Sequence, residues 1–175
     1  MKRNFFAVVL SVSLILCSCG GSSADLSDNL SVKIDDDNTL SLYASREDTE
    51  SILGSASGTN ALGLFEYGSV SIGYTDDKVS AIVLEDDFYS TVPGLRIGSS
   101  DYADMDLSFA EIGKNSISET YFSYSEGEYS QIDDSISDAS FEDGAYLDVI
   151  VDDSNSIKTI GIYDMYSAKT ADFDK

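Results

Sequence analysis

Val70-Ser-Ile-Gly-Tyr-Thr-Asp-Asp-Lys-Val-Ser-Ala-Ile-Val-Leu84 and Leu147-Asp-Val-Ile-Val-Asp-Asp-Ser-Asn-Ser-Ile-Lys-Thr-Ile-Gly-Ile162 carry the same apolar pattern, with one extra residue in the second turn. In the first, Val70, Ile72 and Tyr74 alternate with small or polar residues, Thr75-Asp76-Asp77 breaks the run, and Val79, Ala81 and Val83 resume it. Side chains of a strand point to opposite faces in turn, so alternation, a polar turn and renewed alternation predict an antiparallel hairpin. The second stretch reads the same way, with strands over Tyr146 to Val151 and Ile157 to Tyr163 about a turn at Asp152 to Asn155. Two such units in one chain suggest an internal duplication.

Upstream of each hairpin a helix is expected. Ser45 is a natural N-cap with Asp48 as its reciprocal acceptor, Glu47, Asp48 and Glu50 favour the positive end of the helix dipole, and Gly54 suits a left-handed C-terminal cap. This predicts a short helix, Arg46 to Leu53, burying Ile52 and Leu53. Downstream, Leu95-Arg96-Ile97-Gly98 leads into Ser99-Ser100-Asp101, and Tyr102, Met105, Phe109 and Ile112 then recur at helical spacing before Gly113. Tyr121 to Tyr129 has the aromatics of a strand. The expected fold is therefore α+β: two tandem helix-plus-antiparallel-strand repeats, residues 38–91 and 92–166, forming one antiparallel sheet with helices on one face, then a C-terminal tail at 167–175.

The start of the chain obeys a different grammar. Lys2 and Arg3 precede an apolar run from Phe5 to Leu16, and the chain then turns small and polar from Ser18 to Ser23. That order predicts a secretory signal over residues 1–18. The run is about a dozen residues, whereas a spanning helix needs roughly 20. Leu16-Cys17-Ser18-Cys19 resembles the lipobox of bacterial lipoproteins, with an aliphatic residue three before the cysteine and a small one directly before it. The resemblance implies lipid attachment at Cys19 and anchoring on the extracytoplasmic face of a bacterial membrane. Two acyl chains hold a protein stably there, where one does not. Residues 19–37, rich in Gly, Ser, Asp and Asn, read as a flexible tether.

Cutting before Cys19 removes Lys2 and Arg3, so 8 basic residues stand against 32 acidic ones, a net of −24. Phosphate contacts need Lys and Arg, so this charge disfavours nucleic acid and anionic headgroups. A hydrophobic fraction of 42% is too high for a disordered acidic tail. The chain has no histidine, which removes the commonest general base and the commonest transition-metal ligand together. It also has no Gly-x-Ser-x-Gly elbow. No catalytic residue, cofactor or metal ligand is assigned, and the protein is not expected to be an enzyme.

Given twice in a secreted chain, a short strand, a Gly-Ser turn into a helix ending in Gly, and an antiparallel sheet resemble the beta-lactamase-inhibitor-protein-like lipoproteins, relatives of the SmpA/OmlA outer-membrane assembly lipoproteins. Leu95-Arg-Ile-Gly-Ser-Ser100 through Gly113 and Val79 to Leu84 carry the resemblance, which spans roughly Leu40 to Tyr163. It implies a protein-binding role. The first copy has Tyr43 where the second has Gly98, which leaves the shape of that turn open.

Three oxygen-rich clusters suit calcium by ligand type: Asp35-Asp36-Asp37-Asn38, Glu85-Asp86-Asp87 and Asp152-Asp153-Ser154-Asn155. All lack the glycine and closing glutamate of an EF-hand loop, and they read more simply as a linker, a strand end and a hairpin turn. Eleven tyrosines, among them Tyr121, Tyr124, Tyr129, Tyr163 and Tyr166, suit a protein interface as well as a core. The expected function is a protein-binding or structural module of the cell envelope whose partner, another exported or envelope protein, has a basic surface. The alternative is a small-ligand or calcium-binding envelope module.

Overall fold

Alternating residues dominate the chain, and strands dominate its fold. The computed structural model describes residues 28, 30–102, 107–125, 128–132, 144–170 and 173–174. In chain order its elements are β1 (Ser31–Lys33), β2 (Thr39–Ser41), α1 (Arg46–Leu53), β3 (Gly58–Thr59), β4 (Phe65–Tyr67), β5 (Val70–Thr75), β6 (Lys78–Leu84) and β7 (Ser90–Thr91). There follow β8 (Ala110–Ile112), β9 (Asn115–Ser125), β10 (Glu128–Ile132), β11 (Gly144–Val151), β12 (Ile157–Asp164) and α2 (Met165–Thr170).

The large sheet runs β10-β9-β11-β12-β6-β5-β4-β3, with β8 on the same edge of β9 as β10, and every pairing in it is antiparallel. A three-stranded sheet, β2-β1-β7, lies against one face of it. Leu30, Val32, Leu40, Leu42 and Leu95 from that layer meet Ile72, Tyr74, Ile82, Leu84, Leu147, Val149, Ile160 and Ile162 of the large sheet in one buried cluster.

Both expected hairpins form. Asp76 and Asp77 sit at φ 52° and 58°, the two left-handed residues of a tight hairpin turn whose twist matches its strands. The hairpins then pair through their return strands, with Ile82 opposite Ile162, Val83 opposite Gly161 and Leu84 opposite Ile160. Upstream of each, a residue in the left-handed region donates its N–H to the start of a return strand: Tyr43 (φ 66°) to the Val79 carbonyl at 2.8 Å, and Gly98 (φ 79°) to that of Ile157 at 2.7 Å. The turn left open by Tyr43 therefore has the same backbone hand as its glycine counterpart.

The α+β expectation, with helices covering one face, is overturned. Among the described residues the fold is mainly β, 49% strand and 12% helix, with two short helices. The expected helix from Ser100 to Gly113 gives way at Ala110–Ile112 to β8, which turns through Gly113 (φ 66°) and pairs with β9. Ile112, a presumed core position of that helix, is 55% exposed. Tyr102 and Phe109 do reach the core margin, ring against ring at 5.4 Å, but from irregular chain. Helical spacing over four apolar residues lost to a strand edge whose open N–H and C=O groups needed partners. The strand read over Tyr121 to Tyr129 is likewise two, β9 and β10.

The first helix runs from Arg46 to Leu53 as expected, capped by Ser45 and ended by Gly54 (φ 81°), whose N–H donates to the Glu50 carbonyl. It is shallowly seated: Thr49 is its one fully buried residue, and Ile52 and Leu53 are half-buried. Its anchor is Arg46, paired with Glu50 at 2.9 Å and lying over the rings of Phe65 and Tyr74 at 4.3 and 5.1 Å. Strand β1 stands inside the stretch read as tether, and Leu30 is already buried.

Candidate interaction surface

On the large sheet's other face, register places like residues side by side. One row runs Tyr121, Tyr146, Tyr163, Ala81, Gly73 across β9, β11, β12, β6 and β5. Two residues along, a parallel row runs Glu119, Asp148, Gly161, Val83, Ser71. Residues two apart on a strand share a face, so both rows look the same way.

The rows are covered at one end and open at the other. Leu64 and Phe173 lie over Ala81 and Val83, and a Cβ on Gly73 would come within 2.7 Å of Phe173 and 2.9 Å of Leu64, which is why this strand position has no side chain. Asp174 fixes that segment through its N–H to the Tyr74 carbonyl at 2.7 Å and its carboxylate to the Asp77 N–H at 3.0 Å. Toward β9 the face is uncovered among the described residues: Tyr121, Tyr146, Asp148 and Tyr163 are half-buried and Glu119 is exposed.

The three tyrosines form a ladder. Tyr146 stacks on Tyr163 at 4.9 Å and tilts against Tyr121 at 5.7 Å. The Tyr163 ring folds back over Gly161, where any Cβ would overlap it and lie 2.6 Å from its hydroxyl oxygen. Tyr121 donates its hydroxyl to Glu119 at 2.9 Å. Burial raises the pKa of all three phenols, that of Tyr146 to about 12, and the neighbouring Asp148, joined by Glu119 at Tyr121 and Tyr146, pushes the same way, so each keeps its proton at neutral pH.

Asp148 is the anomaly. It stands between the ladder and Glu119, its Oδ1 is shut off from water, and no hydrogen bond reaches that atom. Burial first, and the Glu119 charge second, push its carboxyl up to about 6. A buried carboxylate oxygen without a donor is costly, and native proteins rarely keep one without a reason.

A second concavity of about 400 Å³ lies at the end of the β5–β6 hairpin, lined by Tyr43, Thr75, Lys78, Asp164, Tyr166 and Ser167 among others. Asp164 is buried there, but it is held from within, by the Tyr43 hydroxyl and the Ser167 N–H, each at 2.9 Å.

The lipid-attachment residue Cys19, the signal at 1–18 and most of the tether lie outside the described residues. Tyr124 and Tyr129 fall on paired strands, and Tyr166 on α2 is exposed. The oxygen-rich clusters are occupied by their own chain. Asp35 accepts from the N–H groups of Asp37 and Asn38, and Asp152 from the N–H groups of Ser154 and Ser156, the Ser154 hydroxyl and Lys158. Hydrogen bonds lower both carboxyls, that of Asp35 through the Asn38 side-chain amide above all and that of Asp152 to about 2 through the Ser154 hydroxyl above all. Among the described residues no three acidic, Cys or His side chains converge as a metal site would require, and no helix is long and apolar enough to cross a membrane.

Sequence reading named Tyr121 and Tyr163 but missed Tyr146 and Asp148. The signal was present: pairing across the turn at 152–155 sets Tyr146 opposite Tyr163, with Asp148 two residues on. Comparison with protein-family models, with curated proteins and with solved structures finds no match for the chain.

Proposed function

We propose that this protein is a binding module, not an enzyme, held on the extracytoplasmic face of a bacterial membrane through a diacylglyceryl group on Cys19, and that it meets another exported protein through the open half of the large sheet. The lipobox-like Leu16-Cys17-Ser18-Cys19 after an apolar run supports the anchor. The observation that carries the binding role is the Tyr121–Tyr146–Tyr163 ladder bordered by Glu119 and Asp148. Stacked rings ordered by a sheet offer contact area whose side-chain entropy is already spent, and interfaces are enriched in tyrosine for that reason.

The test is photocrosslinking in intact envelopes. A photoreactive residue replacing Glu119 or Ile150, on the open half, is compared with one replacing Leu62, which is 72% exposed on the β3–β4 loop. A discrete protein adduct from the first two positions and not from Leu62 is expected. Equal labelling at all three, or none at the sheet positions, would overturn the reading.

The cleft at Tyr43 and Asp164 favours the small-ligand alternative, since it is the concave site of suitable size described above. Calcium draws less support, because Asp35 and Asp152 already spend their oxygens on the chain's own donors.

A further inference from the structure

Asp148 and Glu119 are direct cross-strand partners on neighbouring strands. Like charges set opposite each other destabilise a sheet, and burial at Asp148 adds to the cost. Among the described residues no ion pair offsets it: those present are Lys33–Asp36, Arg46–Glu50 and Lys158–Asp152, and none involves this pair. On the other neighbouring strand, β12, the facing position is Gly161, roofed by the Tyr163 ring. Asp148 thus keeps an unpartnered carboxylate oxygen shut off from water, with the exposed carboxylate of Glu119 on the strand opposite and the stacked rings of Tyr146 and Tyr163 on the same face.

We propose that this carboxylate pair, in a reading that deepens the protein-binding one and rests on it, is a socket for one arginine side chain of a basic segment on the partner, its guanidinium paired with Asp148 and Glu119 and stacked on the tyrosine ladder. A guanidinium matches the place better than an ammonium. It is planar and weakly hydrated, stacks on aromatic rings, and reaches two carboxylates with a rigid fork of donors. The phenol rings lend their electron-rich faces, and their high pKa values keep them neutral so that only the carboxylates carry charge. The net charge of −22 over the whole chain draws cationic segments toward the surface from a distance.

The groups facing Asp148 set the pH dependence. They are Glu119 and Tyr121 from β9, Tyr146 on its own strand, Tyr163 from β12, and beyond these Glu85 at the end of β6, which acts on Tyr163. None is a cation, so no group among these described neighbours keeps Asp148 ionised as pH falls. Arginine binding therefore demands loss of the Asp148 proton, and it weakens below about pH 6.

The experiment uses the full chain in mild detergent, with a blocked tetra-arginine peptide and its uncharged tetra-citrulline counterpart as probes, read by tyrosine fluorescence and calorimetry. Tetra-arginine is expected to bind and tetra-citrulline not. Asp148→Asn and Glu119→Gln should each weaken binding about tenfold, whereas Asp153→Asn, with the same charge change at an exposed turn, should stay within about twofold. Binding at pH 5 should fall about tenfold, since about nine in ten Asp148 side chains are then protonated, and this loss should vanish in Asp148→Asn. Equal effects of Asp148→Asn, Glu119→Gln and Asp153→Asn, or equal binding of the citrulline peptide, would overturn the socket. Glu119→Gln is at an exposed position and keeps the test intact even if Asp148→Asn unfolds. If the socket fails while adducts from positions 119 and 150 persist, the face binds its partner by other chemistry; if those adducts are also missing, the interaction surface itself is wrong.

Discussion

At the scale of single residues, the protein tolerates a cost at Asp148 that an ordinary sheet position would shed. A carboxyl whose folded pKa is raised from 3.8 to about 6 binds its proton more tightly in the native state than in the unfolded chain. Its contribution therefore favours folding least at high pH, the penalty growing as pH rises from about 4 to about 6 and staying constant above. Asp148→Asn removes that penalty. After allowance for screening at a half-buried group, the variant should be more stable than the wild type by on the order of 1 kcal/mol at pH 7.5 and by nothing at pH 4. Denaturant titrations at the two pH values check this, and a variant less stable at pH 7.5 would mean that the carboxylate has a partner in the fold. Stability gained where binding is lost is the usual mark of a site kept for function. The rows that form the surface were half legible: alternation put Tyr146 and Asp148 on one face, yet no sequence signal says that an acidic residue in a strand will be closed off from water. Across from it stands Gly161, and the Tyr163 ring lies over that position because residue 161 is a glycine.

At the scale of elements, local signals succeeded where the element is decided locally. The helix Arg46–Leu53 was readable to its ends because its cap is a contact between near neighbours: Ser45 accepts the Asp48 N–H at 3.0 Å and returns its hydroxyl to the Asp48 carboxylate at 2.6 Å. With Thr49 alone fully buried, that cap carries an unusual share of the helix's stability. Ser45→Ala should lower global stability by about 1 kcal/mol and raise amide exchange over Arg46 to Thr49 before that of β5 and β6. A loss spread evenly over the sheet would show that the helix does not open on its own. The hairpins were legible for the same reason, each turn being its own cause. The missing second helix was not, because β8 exists through pairing with β9, and the Gly113 turn that permits it reads equally well as a helix C-cap. Nor did alternation show that β5 and β6 would be buried on both faces, since one cover is the β2-β1-β7 layer and the other is Leu64 with Phe173, the latter from near the far end of the chain.

At the scale of the whole molecule, the anchor and the charge make separable predictions. Cys19→Ala should shift the protein from the membrane fraction to the soluble one and remove a diacylglyceryl mass, both read on protein extracted from envelopes; retention in the membrane would assign the anchor elsewhere. The charge acts on folding and on binding with opposite sign. A chain with 32 acidic and 10 basic residues repels itself when compact, and the ion pairs at Lys33, Arg46 and Lys158 are each at least partly exposed and too few to offset much of it. Raising sodium chloride from about 0.02 M to about 0.5 M contracts the screening length from roughly 20 Å to roughly 4 Å and should raise the midpoint of thermal unfolding by about 2–5 °C. The same change should slow association with a basic partner by about tenfold or more, leaving dissociation nearly untouched, because long-range attraction governs encounter while the contacts at Asp148 govern escape. A protein stabilised by salt that nevertheless binds its partner more slowly in salt fits an acidic docking surface. If salt sped association or left it unchanged, the partner would not be basic, and the carboxylates at Glu119 and Asp148 would need another explanation.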